Sequence, residues 1–264
     1  MSHSFEHKPD NSIADTQFAR VIPCKALEFS DIAKWLGLGF QDMRQAPGLT
    51  VFFGIMFAAV PWCISYLVSL TGWHLVILPA LVCFILVGPF LAAGLYDVSW
   101  ELEKGHEPTF RHCLRALSRN AVNEWGFGIL LMVLMIFWLR VASLIHALYP
   151  AYQDDSLTGF MPFLVVGSAA GFVFTAIVFL ISAFTQPILM ERRVDLATAV
   201  VTSINAVWVN KSVMLVWAGL IFASVLIGFL TFFVGFIFLM PLIGYASWHA
   251  YIDTIETKRA RNYQ

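Results

Sequence analysis

Hydrophobic positions along the chain follow two patterns, a helical period of about 3.6 residues and long uninterrupted apolar runs. The stretch 110–148 contains both. Its first part places apolar side chains on one helix face, Phe110, Cys113, Leu114, Leu117 and Ala121, opposite Arg111, His112, Arg115, Ser118 and Arg119. Its second part, 125–148, is apolar except for Arg140 and His146 and can cross roughly 30 Å of hydrocarbon. We predict an amphipathic helix on the membrane surface that leads into a membrane span.

The same pattern occurs three times. The segment 118–122 reads Ser-Arg-Asn-Ala-Val, and 203–207 reads Ser-Ile-Asn-Ala-Val, each ahead of an apolar run. An earlier copy places Ile32, Trp35, Leu36, Phe40 and Met43 on one face before the run that begins at Leu49. An amphipathic segment followed by an apolar run, occurring three times, indicates an internal repeat. We predict an all-α membrane protein with six transmembrane helices, in three repeats of amphipathic interfacial helix plus helical hairpin.

The apolar runs and their breaks set the expected boundaries. Span one covers 49–70, span two 74–96, span three 125–148 and span four 160–187. The charged stretch 97–108 between spans two and three is expected in water, and amphipathic helices are expected at about 30–46 and 196–209. The repeats are placed at about 26–97, 108–190 and 195–252, with cytoplasmic tails at 1–25, expected to be mobile, and 256–264.

The last apolar block, 213–248, has two interpretations. At 1.5 Å per residue it would extend about 54 Å, which is too long for one crossing and enough for two short ones joined near Gly228. A single long tilted helix is the alternative. Every Lys and Arg except Arg140 lies in the N-terminal tail, an inner loop or the C-terminal tail. The positive-inside rule then places both termini in the cytoplasm of a bacterial inner membrane, which requires an even number of spans.

Composition agrees with a lipid environment. Hydrophobic residues make up 59% of the 264 residues and charged residues 12%, with a mean hydropathy of +0.76. The formal net charge of −1, without a concentrated basic stripe, argues against nucleic acid as a partner. The four cysteines have no CxxC spacing, which argues against a disulfide framework or a zinc site. No signal peptide precedes Leu49, and no phosphate-binding or hydrolase signature is present, so we expect neither an enzyme nor a cofactor.

Arg140 is the one fixed charge well inside a predicted span. It must face the bundle interior, find an acceptor or extend outward, because an exposed guanidinium in hydrocarbon costs several kcal/mol. Asp154 and Asp155, in the following outer loop, are its candidate partners. A snorkelling or structural ion pair and a functional role in an anion or proton path both remain open.

Other polar residues have plainer interpretations. Asp97, Glu101 and Glu103 could act as acids and bases, but their position favours a solvated helix end. His74, His146 and His249 fall at predicted span ends, where interfacial residues are more usual than metal ligands. Pro89, Pro187 and Pro241 recur in the second span of each repeat, and kinks for packing are the favoured explanation over a transport site. Gly167 and Gly171 form a GxxxG pattern typical of close helix packing, within the chain or in a dimer.

Three segments resemble a known family. They are Trp35-Leu-Gly-Leu-Gly-Phe-Gln-Asp42, Gly88-Pro-Phe-Leu-Ala-Ala-Gly-Leu-Tyr-Asp-Val-Ser99 with Glu103-Lys-Gly-His-Glu-Pro108, and Gln186-Pro-Ile-Leu-Met-Glu-Arg-Arg-Val-Asp195. They are similar to an uncharacterised bacterial integral-membrane family, domain of unknown function 2189, over about 22–255. Members are sometimes labelled cytochrome c oxidase subunit I, but such a subunit needs several histidines within its spans for haem and copper. The resemblance implies no known activity and at most an association with respiratory complexes.

Three functions are compatible with these patterns. The first is a non-catalytic inner-membrane protein that acts through helix or lipid contacts, as an accessory to a membrane or respiratory complex, with another membrane protein or a second copy as partner. The second is a transporter or channel with Arg140 in the pathway. The third is a lipid-binding or lipid-remodelling protein whose Arg111, Arg115 and Arg119 contact anionic headgroups.

Overall fold

The protein is all-helical over the residues that its structure, a computed structural model, describes: 21–71, 92–116, 121–148, 157–192 and 194–256. Ten helices lie in these ranges: α1 (Phe29–Gln45), α2 (Pro47–Thr71), α3 (Ala93–Glu103), α4 (Phe110–Ala116), α5 (Ala121–Leu148), α6 (Leu157–Ser182), α7 (Thr185–Glu191), α8 (Leu196–Val209), α9 (Lys211–Leu230) and α10 (Phe236–Thr254). The all-α class predicted from the sequence is confirmed. Most of predicted span two falls outside the described residues.

Four stretches are long and apolar enough to cross a membrane: Pro47–Tyr66, Val122–Leu148, Met161–Glu191 and Lys211–Leu230. They correspond to predicted spans one, three, four and five. The third stretch is interrupted, since α6 ends at Ser182 and α7 begins at Thr185. At this break the Phe184 N–H donates to Ser203 Oγ at 3.1 Å, and Ser203 Oγ–H donates to the Leu180 carbonyl at 2.9 Å. One serine of α8 therefore satisfies backbone groups freed by the break at residues 183–184, shortly before Pro187.

The last apolar block is two helices and not one long helix. It divides at residues 231–235, slightly beyond the predicted joint, between α9 and α10. Phe232 and Phe233 have φ of 53° and 69°, a conformation that L-residues adopt rarely, and Thr231 Oγ1 accepts a hydrogen bond from the Gly235 N–H at 2.8 Å. The tight turn returns the chain towards the side on which α9 began.

Helix α10 lies at the centre of the fold, in contact with α1, α2, α3 and α9. Its side chains Tyr245, Trp248 and Tyr251 have no exposed surface. Helix α2 crosses it closely at Gly54, where an added Cβ would lie 2.1 Å from the Ile237 carbonyl oxygen. Backbones approach this closely only where one partner lacks a side chain.

The amphipathic pattern of α1 has a different cause from the one predicted. Ile32, Trp35 and Met43 are buried as expected, but they pack on protein, and the α1 face lies along α10. Phe40 remains 38% exposed. The predicted start at Ser30-Asp31 is also late, because Glu28 is the N-cap and forms a reciprocal capping box with Asp31. By contrast, α8 has the bounds that the sequence predicted.

Residues 21–25 are not a free tail. The Lys25 N–H donates to the Thr254 carbonyl at 2.9 Å, and the Asn210 side chain donates to the Lys25 carbonyl at 3.0 Å. The Ile22 N–H donates to Thr202 Oγ1 at 3.2 Å. This part of the segment that was predicted to be mobile is therefore fixed to α8 and to the end of α10, whereas residues 1–20 lie outside the described part of the chain.

Candidate functional site

The main concentration of polar chemistry among the described residues lies where α3 turns back into α4. Asp97 and Glu101 are one helical turn apart on α3, so their carboxylates lie on the same face. The helix ends in a Schellman motif: the Gly105 N–H donates to the Leu102 carbonyl and the His106 N–H to the Glu101 carbonyl, both at 3.0 Å. Gly105 has a φ of +74°, which its missing side chain permits. This reversal brings α4, and with it His112, back against α3.

His112 lies between the two carboxylates. Its Nδ1 is 2.8 Å from Asp97 Oδ2, and its Nε2 is 3.7 Å from Glu101 Oε1. The Asp97 side chain is fully buried, that of Glu101 is 9% exposed and that of His112 is 32% exposed. One ligand atom from each residue lies within 4.8 Å of the other two. We call Asp97, Glu101 and His112 the carboxylate–histidine cluster.

Two further basic side chains border this cluster. Lys104 Nζ is 2.8 Å from Glu101 Oε1 and lies 3.5 Å from the centre of the Trp100 ring. His106 Nδ1 is 3.2 Å from Glu101 Oε2. Burial by itself raises the pKa of the Glu101 carboxyl, but hydrogen bonds from Lys104 and His106 outweigh this effect and lower that pKa. Glu101 is therefore held as a carboxylate.

Cys113, next to His112, adds a thiol at the edge of the cluster. Burial and the negative charge of Asp97 raise the pKa of the Cys113 thiol to about 12. The thiol is therefore protonated at neutral pH and is a poor nucleophile. A reactive cysteine would need a positive environment, and this one has the opposite.

A second polar group joins three helices. Asp42 of α1 accepts hydrogen bonds from Ser99 Oγ at 2.6 Å and from His249 Nε2 at 2.8 Å, both at its Oδ2 atom. We call these residues the Asp42 clamp. The three residue types match those of a hydrolase triad, but in a triad the histidine contacts the serine and the aspartate contacts the histidine. Here both partners contact the same aspartate oxygen, so the arrangement holds α1, α3 and α10 together without activating the serine.

Further hydrogen bonds and one ion pair surround the C-terminal end of α10. Trp35 Nε1–H donates to Asp253 Oδ2 at 2.8 Å, Lys34 Nζ pairs with the same oxygen at 2.8 Å, and Trp248 Nε1–H donates to Glu103 Oε2 at 3.2 Å. The carboxylates predicted to form a solvated helix end instead contact other side chains: Asp97 contacts His112, Glu101 contacts Lys104 and His106, and Glu103 contacts Trp248. That prediction is wrong for Asp97 and Glu101, which are 0% and 7% exposed.

Of the residues singled out from the sequence, the structure describes the side chains of Arg140 and Arg111. Arg140 is exposed on α5, and Arg111 is exposed at the start of α4. Asp154, Asp155 and Arg119 lie outside the described residues, as does the side chain of Arg115. His112 was assigned to a polar, water-facing side of its helix, whereas it turns towards α3. The i, i+4 spacing of Asp97 and Glu101 was visible in the sequence, but the contact with His112 depends on the reversal at Gly105.

Comparison with known proteins adds one finding. No curated protein and no solved structure matches the chain. Residues 77–191 match the sequence model of a family described as predicted integral membrane protein (DUF2189). This segment includes α3 to α7 and the whole carboxylate–histidine cluster, and it is shorter than the range 22–255 of the sequence resemblance. Over residues 77–191 the chain is thus similar to a family of predicted integral membrane proteins, DUF2189, as the resemblance predicted.

Proposed function

We propose that this protein is a non-catalytic membrane protein that acts by binding a partner helix along the outer face of α5 and α6. The observation that carries this proposal is the low burial of these two helices. Only 6% of the most apolar stretch of α5 and 11% of that of α6–α7 is buried in the protein, against 28% for α2 and for α9. In two of the four candidate spans, nearly every residue of the most apolar stretch is therefore at least partly accessible to lipid or to another helix.

The surface between α5 and α6 suits a helix. It forms an open groove of about 550 Å³, whose lining includes the large side chains of Phe137, Trp138, Val165 and Val173 and the small side chains of Ala169 and Ala170. Small residues in the lining allow a second backbone to approach closely, which favours helix association in lipid. The two glycines of the GxxxG pattern have different surroundings. Gly171 packs within the chain, since an added Cβ would lie 3.3 Å from Trp138, whereas in the described part of the chain no atom lies within 4 Å of a Cβ added at Gly167.

Photo-crosslinking in native membranes tests the proposal. A photoreactive residue replaces Val165, which is 64% exposed in the groove, and the control replaces Leu215, which is 68% exposed on α9. We expect a protein adduct of defined mass from position 165 and none from position 215. Gly167→Leu should abolish the adduct, and Gly219→Leu, at a similarly open glycine of α9, should not. Adducts with lipid alone at both positions would overturn the proposal.

Lipid binding is the second candidate, and it rests on α4. Arg111 and Phe110 are both exposed where this helix begins, a charged and an apolar side chain together, as at membrane interfaces. Neutralising Arg111, Arg115 and Arg119 together should reduce the preference for vesicles that contain anionic lipid over neutral ones. An unchanged preference would reject this candidate. Transport through a path at Arg140 gains no support from the exposed position of that side chain on α5.

We also propose the six-span topology that the sequence predicts. In this proposal five of the six spans are α2, α5, α6–α7, α9 and α10, and the remaining one is predicted span two at 74–96. Together they form three repeats in a bacterial inner membrane. Short helices precede long ones at α1–α2, α4–α5 and α8–α9, which supports the repeat. Reporter fusions at both termini should indicate the cytoplasmic side. Opposite sides for the two ends would refute the even number of spans.

A further inference from the structure

We propose that Asp97, Glu101 and His112 form a binding site for a divalent transition-metal ion such as Zn²⁺ or Mn²⁺. The three side chains offer two carboxylate oxygens and one imidazole nitrogen, a donor set that suits these ions. Their ligand atoms already lie within 4.8 Å of one another. Bonds of about 2.0–2.2 Å to a common ion require these atoms to move by only about an ångström.

The fold holds the ligands in place without the ion. Asp97 and Glu101 share a face of α3 one turn apart, and the Schellman motif at Gly105 fixes the direction in which α4 returns with His112. Asp97 is fully buried, and burying a carboxylate is costly unless a cation or hydrogen-bond donors compensate it. An ion between Asp97 and Glu101 would place positive charge next to both carboxylates, beside the contacts that His112, Lys104 and His106 already make with them.

Access is available from one side. The His112 side chain is 32% exposed and that of His106 is 65% exposed, whereas the two carboxylates lie deeper. An ion would therefore reach His112 first. His106 Nδ1, at 3.2 Å from Glu101 Oε2, is close enough to supply a fourth donor after a small rotation. Solvent or an exogenous ligand could complete the coordination, as in metal sites with an open position.

Lys104 competes with a metal ion for Glu101, so an ion that binds must displace the Lys104 ammonium from this carboxylate. Its ammonium is 2.8 Å from Glu101 Oε1, in the position where an ion would bind. The same ammonium lies 3.5 Å from the Trp100 ring, so it keeps a cation–π partner when it leaves the carboxylate. Removing the Lys104 charge should strengthen metal binding. In a simple ion-pair network, the same change would only weaken the fold.

The full-length protein in detergent, freed of metal with a chelator, provides the test. Zn²⁺ and Mn²⁺ are titrated separately, and bound metal is measured by elemental analysis after desalting. We expect one equivalent per chain, with binding weakened tenfold or more by His112→Gln, Asp97→Asn or Glu101→Gln. Co²⁺ should give visible absorption bands that His112→Gln removes. His146→Gln, at an exposed histidine of α5, is the matched control and should bind as wild type.

The outcomes separate the alternatives. Lys104→Met should bind metal more tightly than wild type. Histidines elsewhere in the chain, such as His3 and His7, could bind metal adventitiously, and such binding would persist in His112→Gln. Binding that His112→Gln leaves unchanged, or no binding at 100-fold excess of either ion, would overturn the proposal. If Asp97→Asn does not fold, His112→Gln at a partly exposed side chain together with the Co²⁺ spectrum still decides the question.

Discussion

The close crossing of α2 and α10 at Gly54 gives the sharpest prediction. Gly54→Ala adds one methyl group on α2 that would lie 2.1 Å from the Ile237 carbonyl oxygen and 2.9 Å from its carbonyl carbon. Those atoms belong to the backbone of α10, so no side-chain rotation can relieve the clash. The two helices must separate by about 1 Å, and overpacking of this kind costs about 1–3 kcal/mol.

Gly219→Ala is the matched control. Gly219 also lies inside an apolar helix, but no atom of the residues that the structure describes lies within 4 Å of an added Cβ. Alanine there should be neutral or stabilising by up to about 1 kcal/mol, because alanine restricts the unfolded chain more than glycine does. The two variants should therefore differ by roughly 1–4 kcal/mol in the free energy of unfolding.

Thermal unfolding in detergent, followed by size-exclusion chromatography of the fraction that remains folded, measures this difference. We expect Gly54→Ala to lose its folded fraction at a clearly lower temperature than wild type, and Gly219→Ala at the same temperature or a higher one. The reasoning fails if Gly54→Ala is as stable as Gly219→Ala, since α2 and α10 would then not be in the close contact described here.

Three further predictions concern the polar groups. Asp42→Ala leaves Ser99 and His249 without their shared acceptor and should cost about 2–4 kcal/mol in chemical unfolding, and a loss below 0.5 kcal/mol would contradict the role of the clamp. Cys113 should resist alkylation at pH 8 in the native protein and react after denaturation, because burial and Asp97 keep its thiol protonated; rapid labelling of the native form would refute this. The hydrogen bonds that lower the pKa of the Glu101 carboxyl stabilise the fold where this carboxyl is ionised, above the usual carboxyl pKa, and this stabilisation is lost at acid pH. The difference in the free energy of unfolding between wild type and Glu101→Gln should therefore shrink below about pH 4. A difference that stays constant with pH would count against this reasoning.

Much of the fold could be predicted from hydrophobic periodicity. Helix α8 has its predicted bounds, α2 and α5 differ from spans one and three by a few residues, and the last apolar block divides as its length required. Errors arose where polar residues follow an apolar run. The stretch after Tyr96 was assigned to water because of its charge, yet α3 continues through it to Glu103. Charge alone cannot distinguish a solvated helix end from one whose carboxylates meet donors on other helices.

The candidate site shows the same limit. Sequence identified Asp97, Glu101 and His112 as polar, but a separation of fifteen positions between Asp97 and His112 does not reveal that the imidazole lies 2.8 Å from the first carboxylate. The clamp partners Asp42 and His249 are 207 positions apart, and no local pattern connects them. Such contacts follow from how helices cross.

The sequence by itself determined that the chain is helical and lies in a membrane, because long apolar runs must satisfy their backbone hydrogen bonds internally in lipid. It also determined where most helices begin and end, through caps, prolines and breaks in periodicity. Only the tertiary structure decided what the polar residues contact. Helix α10 at the centre of the bundle packs against α1, α2 and α3. The chain reversal at Gly105 brings His112 against Asp97 of α3. These are properties of packing between distant segments, and packing is what gives a buried charge its partner.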